Sequence, residues 1–299
     1  MPDLLWTQEQ DIGPGPRSGH FMTYHAASKR TVVFGGWSAA AGKNLNDTWE
    51  WDGELWKQVA DTGPSGRSSA GAAYDDARGK SVLFGGSGQT LLNDTWEWDG
   101  NLWSQVADTG PSARAAPSMA FDPARKRGVL FGGGGQSTAW LSDTWEWDGK
   151  LWTQVADTGP TARLGAGIAY DDAVGQITLF GGSGNSAGLL NDTWTWDGAT
   201  WTQQGDTGPS GRAHPGMVYD SAGSWIVLFG GGFQFSFPLQ VKETWTWDGK
   251  LWTQRLDMGP APRSLLGMVY DSDRGRVVLF GGFGGNPTYF GDTWELANQ

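Results

Sequence analysis

The stretch Asp94-Thr95-Trp96-Glu97-Trp98-Asp99-Gly100-Asn101-Leu102-Trp103 decides the architecture, because versions of it recur along the whole chain. Asp-Thr-Trp begins at Asp47, Asp94, Asp143, Asp192 and Asp292, with Glu243-Thr244-Trp245 as a variant. Its tryptophans, Trp49, Trp96, Trp145, Trp194, Trp245 and Trp294, are spaced by 47, 49, 49, 51 and 49 residues. Two further markers keep that period. A diglycine follows an apolar run at Gly35-Gly36, Gly85-Gly86, Gly132-Gly133, Gly181-Gly182, Gly230-Gly231 and Gly281-Gly282. A Gly-Pro-x-x-Arg segment ends at Arg17, Arg67, Arg114, Arg163, Arg212 and Arg263. Six copies fill residues 1–299, so a single repeat domain is expected over them.

Each copy reads as four short strands. In the second, Ser69 to Tyr74 is small and apolar, and Asp75-Asp76-Ala77-Arg78-Gly79 turns the chain. Ser81-Val82-Leu83-Phe84 is a continuous apolar run, as in a strand covered on both faces. Thr95-Trp96-Glu97-Trp98 alternates, Asp99-Gly100 is a hairpin turn, and Leu102 to Val106 is the fourth strand. No helical periodicity of useful length occurs. Four antiparallel strands make one blade, and radially stacked blades bury each other's faces.

The termini predict closure. Leu5-Trp6-Thr7-Gln8 matches the fourth strand at Leu102-Trp103-Ser104-Gln105, whereas Asp292 to Leu296 is a third strand with no fourth after it. The N-terminus therefore supplies the missing strand of the last blade and covers its edge. The expected blades are about 17–60, 67–107, 114–156, 163–204, 212–256, and 263–299 plus 4–9.

Composition narrows the functional classes. Glycine is 48 and tryptophan 20 of 299 residues, which fits many tight turns and many large ring anchors. Glycine does not fall every third residue, so this is not collagen, and so many rings do not stay solvated in a disordered chain. There is no cysteine, hence no disulfide, thiolate metal site or cysteine nucleophile. The net charge of −11 argues against nucleic acid or an anionic membrane as partner. No apolar run approaches the ~18 residues of a spanning helix. The first residues lack the pattern of a signal peptide, so a cytoplasmic location is expected if Met1 is the native start.

With these markers the chain resembles the kelch-repeat family. That family carries an arginine ahead of the first strand, a diglycine ending the second, an aromatic on the third and a tryptophan on the fourth. Arg67, Gly85-Gly86, Trp98, Trp103 and their counterparts match. The usual third-strand tyrosine is replaced by Trp51, Trp98, Trp147, Trp196 and Trp247, and by Leu296 in the last copy. The spacing to the fourth-strand tryptophan is also shorter than in the family. The resemblance spans essentially the full chain. It implies a six-bladed β-propeller, similar to the galactose oxidase propeller domain, and a binding or protein-interaction role. The copper-radical chemistry of galactose oxidase needs a cysteine that this chain lacks.

The repeated tryptophans read as packing between blades. The arginines admit two readings. The resemblance implies that arginines here can bind substrate or an acidic peptide, which makes Arg17, Arg67, Arg114, Arg163, Arg212 and Arg263 candidate ligand-binding residues. Alternatively, Asp94 and its equivalents take each guanidinium within its own repeat. The loops between second and third strands differ from copy to copy. They carry Trp37, then Phe233, Phe235 and Phe237, then Phe283, Tyr289 and Phe290, with Trp140 alone in the third copy. Blades five, six and one are consecutive in a closed ring, so these aromatics share one sector. They either shield one another or form a binding surface, with Trp37, Phe233 and Phe283 as its candidates.

Other chemistry is thin. His20, His25 and His214 have no zinc spacing, and His20 and His214 are expected on first strands. No Gly-x-Ser-x-Gly elbow occurs, and Asp271-x-Asp273 is a weak calcium signal. Asn46, Asn93 and Asn191 begin sequons that arise from the repeat itself. Neither a metal nor a cofactor is expected. The leading expectation is a non-catalytic scaffold with an arginine-lined anion pocket, binding a protein, a peptide or a small anionic or carbohydrate ligand. The alternatives are a sugar-acid isomerase or lyase, and an engineered near-symmetric propeller without a natural ligand.

Overall fold

The second repeat folds as strands Gly71–Asp75, Lys80–Ser87, Leu91–Trp98 and Trp103–Ala107, antiparallel and in that order across one sheet. The computed structural model describes residues 4–9, 12–185, 188–232, 240–256 and 258–298. Local chemistry sets the strand limits. Asp99 accepts the N–H groups of Asn101 and Leu102 at 2.9 and 2.8 Å, which pins the hairpin. Gly100 supplies its positive φ of 92°. The fourth strand begins at Trp103, one residue later than the sequence suggests. Leu102 lies in the turn and is exposed, as are Leu55, Leu151 and Leu251.

Among the described residues there are six four-stranded antiparallel sheets, and the fold is all-β. The last sheet is completed by Leu4–Gln8, which pairs antiparallel with Thr288–Asn298 and sets Trp6 opposite Leu296. Val82, Leu83 and Phe84 are fully buried, because the sheet is covered on both faces. The core is divided into clusters between successive sheets. One joins Ala73, Val82 and Phe84 to Met119, Leu130, Trp147 and Trp152. Another joins first and last repeats through Met22, Val33, Trp51, Val269, Val278 and Phe280.

Polar bonds repeat the same ties. Each fourth-strand indole donates to the Asp-Thr-Trp threonine of the preceding repeat. Trp103 donates to Thr48 at 2.9 Å and Trp152 to Thr95 at 2.8 Å. Across the chain ends, Trp56 reaches Thr293 at 2.8 Å and Trp6 reaches Thr244 at 2.9 Å. The second glycine of the diglycine has a similar task. Gly86 N–H donates to the Arg114 carbonyl and Gly282 N–H to that of Arg17, both at 2.9 Å. Its positive φ, 100° at Gly86, permits that path, and a Cβ there would approach the Ser68 carbonyl to 2.9 Å.

A closed cycle of backbone hydrogen bonds surrounds the centre. Ser69 N–H donates to Gly19 O, Ala116 to Ser69, Gly165 to Ala116, His214 to Gly165, Leu265 to His214, and Gly19 to Leu265, at 2.6–3.1 Å. Each member sits two residues after a motif arginine, and all six have positive φ. This hoop defines an axis with two ends. One end carries the hoop and the variable loops. At the other end the first strands turn into the second.

Candidate functional site

The motif arginines lie just outside the hoop, and the structure turns their guanidinium groups away from the axis, into their own sheets. All six are buried. Arg114 is representative: Nε donates to Ser112 O at 2.9 Å, and Nη1 to Gly132 O at 2.9 Å and Asp143 Oδ1 at 2.6 Å. Nη2 completes the set with Ser112 Oγ at 3.0 Å and Asp143 Oδ2 at 2.8 Å. All five N–H groups are therefore engaged, and the same holds for Arg67 and Arg163. Arg17 and Arg263 grip Asp47 and Asp292 in the same fork, and Arg263 also lies over the Phe290 ring at 3.9 Å. Arg212 is the exception, holding Glu243 by one oxygen at 2.8 Å.

Charge follows this geometry. Burial alone pushes the carboxyl of Asp143 up, but the hydrogen bonds and charge of Arg114, with the Trp145 indole, outweigh it. Its pKa is held below the usual carboxylate range, and Asp47, Asp94, Asp192 and Asp292 behave alike. The six arginines thus present paired charge within their own repeats. They do not converge as free guanidinium groups on the axis.

His20 and His214 precede the first strands Phe21–His25 and Gly216–Asp220 and do not belong to them. Burial, then the charge of Arg17, lowers the His20 pKa to about 3, so the ring stays neutral and packs edge-on against Phe280. His214 belongs to the hoop.

Where the loops differ, a pocket of about 300 Å³ opens beside the hoop. Trp37, Phe283 and Tyr289 supply its rings. Short backbone bridges aim them: Ser18 pairs with Trp37 and Ser264 with Phe283, so the residue after a motif arginine fixes the residue after a diglycine. Phe283 and Tyr289 are cross-strand partners with ring centroids 5.1 Å apart. Gly19, Ser68, Ser69, His214 and Leu265 complete the wall. Trp37 is 38% exposed, so its ring remains available. No Asp, Glu, Lys or Arg lines this pocket among the described residues. Phe233, Phe235 and Phe237 lie outside the described residues.

A second cavity, of about 450 Å³, opens at the other end of the axis. Six aromatics stand around it, one from each first strand: Tyr24, Tyr74, Phe121, Tyr170, Tyr219 and Tyr270. Sequence reasoning passed over them, although an aromatic followed by Asp or His at the end of each first strand is a six-fold signal.

The model of the KLHDC2/KLHL20/DRC7 Kelch-repeats domain matches residues 3–159, more than half of the chain. The chain belongs to the kelch-repeat family. No curated protein matches it. The kelch signature here is the set of groups just described: arginine and aspartate within a sheet, diglycine and tryptophan between sheets. Kelch repeats generally mediate protein interaction.

Proposed function

We propose that this kelch protein is a closed six-bladed propeller, one domain over residues 1–299, that serves as a non-catalytic interaction scaffold. Its blades are 17–60, 67–107, 114–156, 163–204, 212–256, and 263–299 with 4–9. The hydrogen-bond cycle from Gly19 through Leu265 supports closure, as does the pairing of Leu4–Gln8 with the last sheet. The partner segment binds in the Trp37–Phe283–Tyr289 pocket. One observation carries this reading: three ring-bearing positions that break the repeat are brought to one wall, beside serines and, among the described residues, without Asp, Glu, Lys or Arg. The arginine-lined anion pocket is set aside, because the guanidinium groups are engaged by Asp or Glu and loop carbonyls. The occupant is therefore an uncharged, partly apolar side chain of an extended segment, stacked on rings and hydrogen-bonded by hydroxyl groups.

The test is selection of peptides from a displayed random library against the intact protein. Selected peptides should bind Trp37→Ala and Phe283→Ala at least 10-fold more weakly, with melting temperatures near that of the parent. Peptides that bind these variants as tightly as the parent would overturn the pocket assignment.

A further inference from the structure

The cavity at the far end of the axis is built differently from the Trp37 pocket. Its mouth is a hoop of six aromatic rings, one per repeat, and its walls below include Met22, Met119, Met217 and Met268. Some rings are fixed by bonds across the seams between repeats. The Tyr74 hydroxyl accepts the Ala27 N–H at 3.0 Å, and the Tyr270 hydroxyl accepts that of Ala222 at 3.2 Å. Tyr74 also stands edge-on to His25, with centroids 5.2 Å apart. At Tyr74 and Tyr270 little side-chain freedom is left for a ligand to remove.

At the position two residues after each ring stand Ala26, Asp76, Pro123, Asp172, Ser221 and Ser272, all at the cavity. Asp76 and Asp172 are the charged members among the described lining residues, and neither forms an ion pair. The nearby arginines do not neutralise them. Arg78 bridges Asp75 and Glu97, Arg125 bridges Asp122 and Glu146, and Arg274 bridges Asp271 and Glu295. In the fourth repeat Val174 stands where those arginines stand. Next to Asp172 in the chain, therefore, the buried Asp171 has one carboxylate oxygen with no hydrogen-bond partner. The mouth thus has uncompensated negative charge in a chain of net charge −11.

A small hard metal ion does not fit this arrangement. It draws on several carboxylates close together, and no group of three His, Cys, Asp or Glu side chains gathers anywhere among the described residues. Asp76 and Asp172 come from the second and fourth repeats, with Pro123 of the third between them. Their field suits a bulky cation with diffuse charge, whose alkyl surface meets aromatic and thioether side chains. We propose that this axial mouth binds a quaternary or alkylated ammonium group. Its N–C–H surface meets the aromatic hoop, and its charge faces Asp76 and Asp172.

The test uses choline and its uncharged carbon isostere, 3,3-dimethylbutan-1-ol, titrated into the full chain by calorimetry or by NMR shift. Choline should bind saturably and at least 10-fold more tightly than the isostere. Asp76→Asn with Asp172→Asn should lose at least 10-fold, since both side chains are exposed and the fold does not rest on them. Trp37→Ala should bind choline as the parent does, which separates this site from the loop pocket. Absence of saturable choline binding, equal binding of the isostere, or an unchanged affinity in the double variant would each overturn the proposal.

Discussion

Replacing Arg114 with methionine tests whether the motif arginines hold the fold. The guanidinium is 0% exposed and makes five hydrogen bonds, two of them to Asp143. In Arg114→Met, Asp143 keeps only the Trp145 indole donor, at 2.7 Å, among its side-chain donors. Stranding one half of such a pair costs about 3–5 kcal/mol. Asp143→Leu in the Arg114→Met background removes the stranded charge, and part of the loss should return. The cost should also depend on acidity. The Asp143 pKa is depressed in the folded parent, so the stability it contributes is present above its unfolded value, near pH 4, and lost as pH falls through the folded value. The gap between parent and Arg114→Met should therefore narrow below about pH 4. Urea unfolding across this pH range, with m-values checked for constancy, reads both effects. A loss under about 1 kcal/mol at pH 7, or a double variant equal to the sum of its single losses, would refute the structural role.

Three further outcomes follow from the packing. Deleting residues 1–10 should cost several kcal/mol, because it removes Trp6, which packs 5.2 Å from Phe229 and donates to Thr244; an unchanged melting temperature would refute closure by that strand. Trp152→Ala should cost about 3–5 kcal/mol and Trp37→Ala well under 1, since one ring is buried between sheets and the other is exposed; equal losses would refute that distinction. Val174→Arg should gain roughly 1 kcal/mol at neutral pH by giving Asp171 the partner that Asp75 has in Arg78. Burial raises the Asp171 pKa, so the gain should fade as acidification protonates it, and a lower urea midpoint for the variant at pH 7 would count against this account.

The repeat was legible because its markers each fill a fixed geometric need. Trp103 must reach Thr48, and Gly86 must pass close to Ser68, so neither type nor spacing drifts far. The arginines were ambiguous for a physical reason. Whether Arg114 meets Asp143 depends on how the chain folds back through the Ser112 carbonyl, and spacing along the sequence does not fix that turn. The clustering of Trp37 with Phe283 followed from ring order, but their aim comes from single bridges to Ser18 and Ser264, which no pattern announces. The aromatic mouth went unseen because Tyr74-Asp75 and its equivalents read as the ends of strands entering a turn.

Symmetry separates structural from functional positions most clearly at the hoop. Gly19, Ser69, Ala116, Gly165, His214 and Leu265 share φ between 51° and 63°, yet their side chains have nothing in common. The shared feature is the backbone, held by the cycle of hydrogen bonds. An L-residue other than glycine costs roughly 1–2 kcal/mol in that region. Four of the six positions bear that cost, sustained by a ring that over-determines them. Ala116 faces no partner-binding wall, so Ala116→Gly should stabilise the fold by on the order of 1 kcal/mol, less the added freedom of the unfolded glycine. Leu265 lines the Trp37 pocket, so Leu265→Gly relieves the same strain while removing apolar wall. The protein should remain folded and bind its selected peptides at least 10-fold more weakly. If Ala116→Gly destabilises, the hoop is not strained. If Leu265→Gly binds as the parent does, the side chain at this position serves the fold and not the partner.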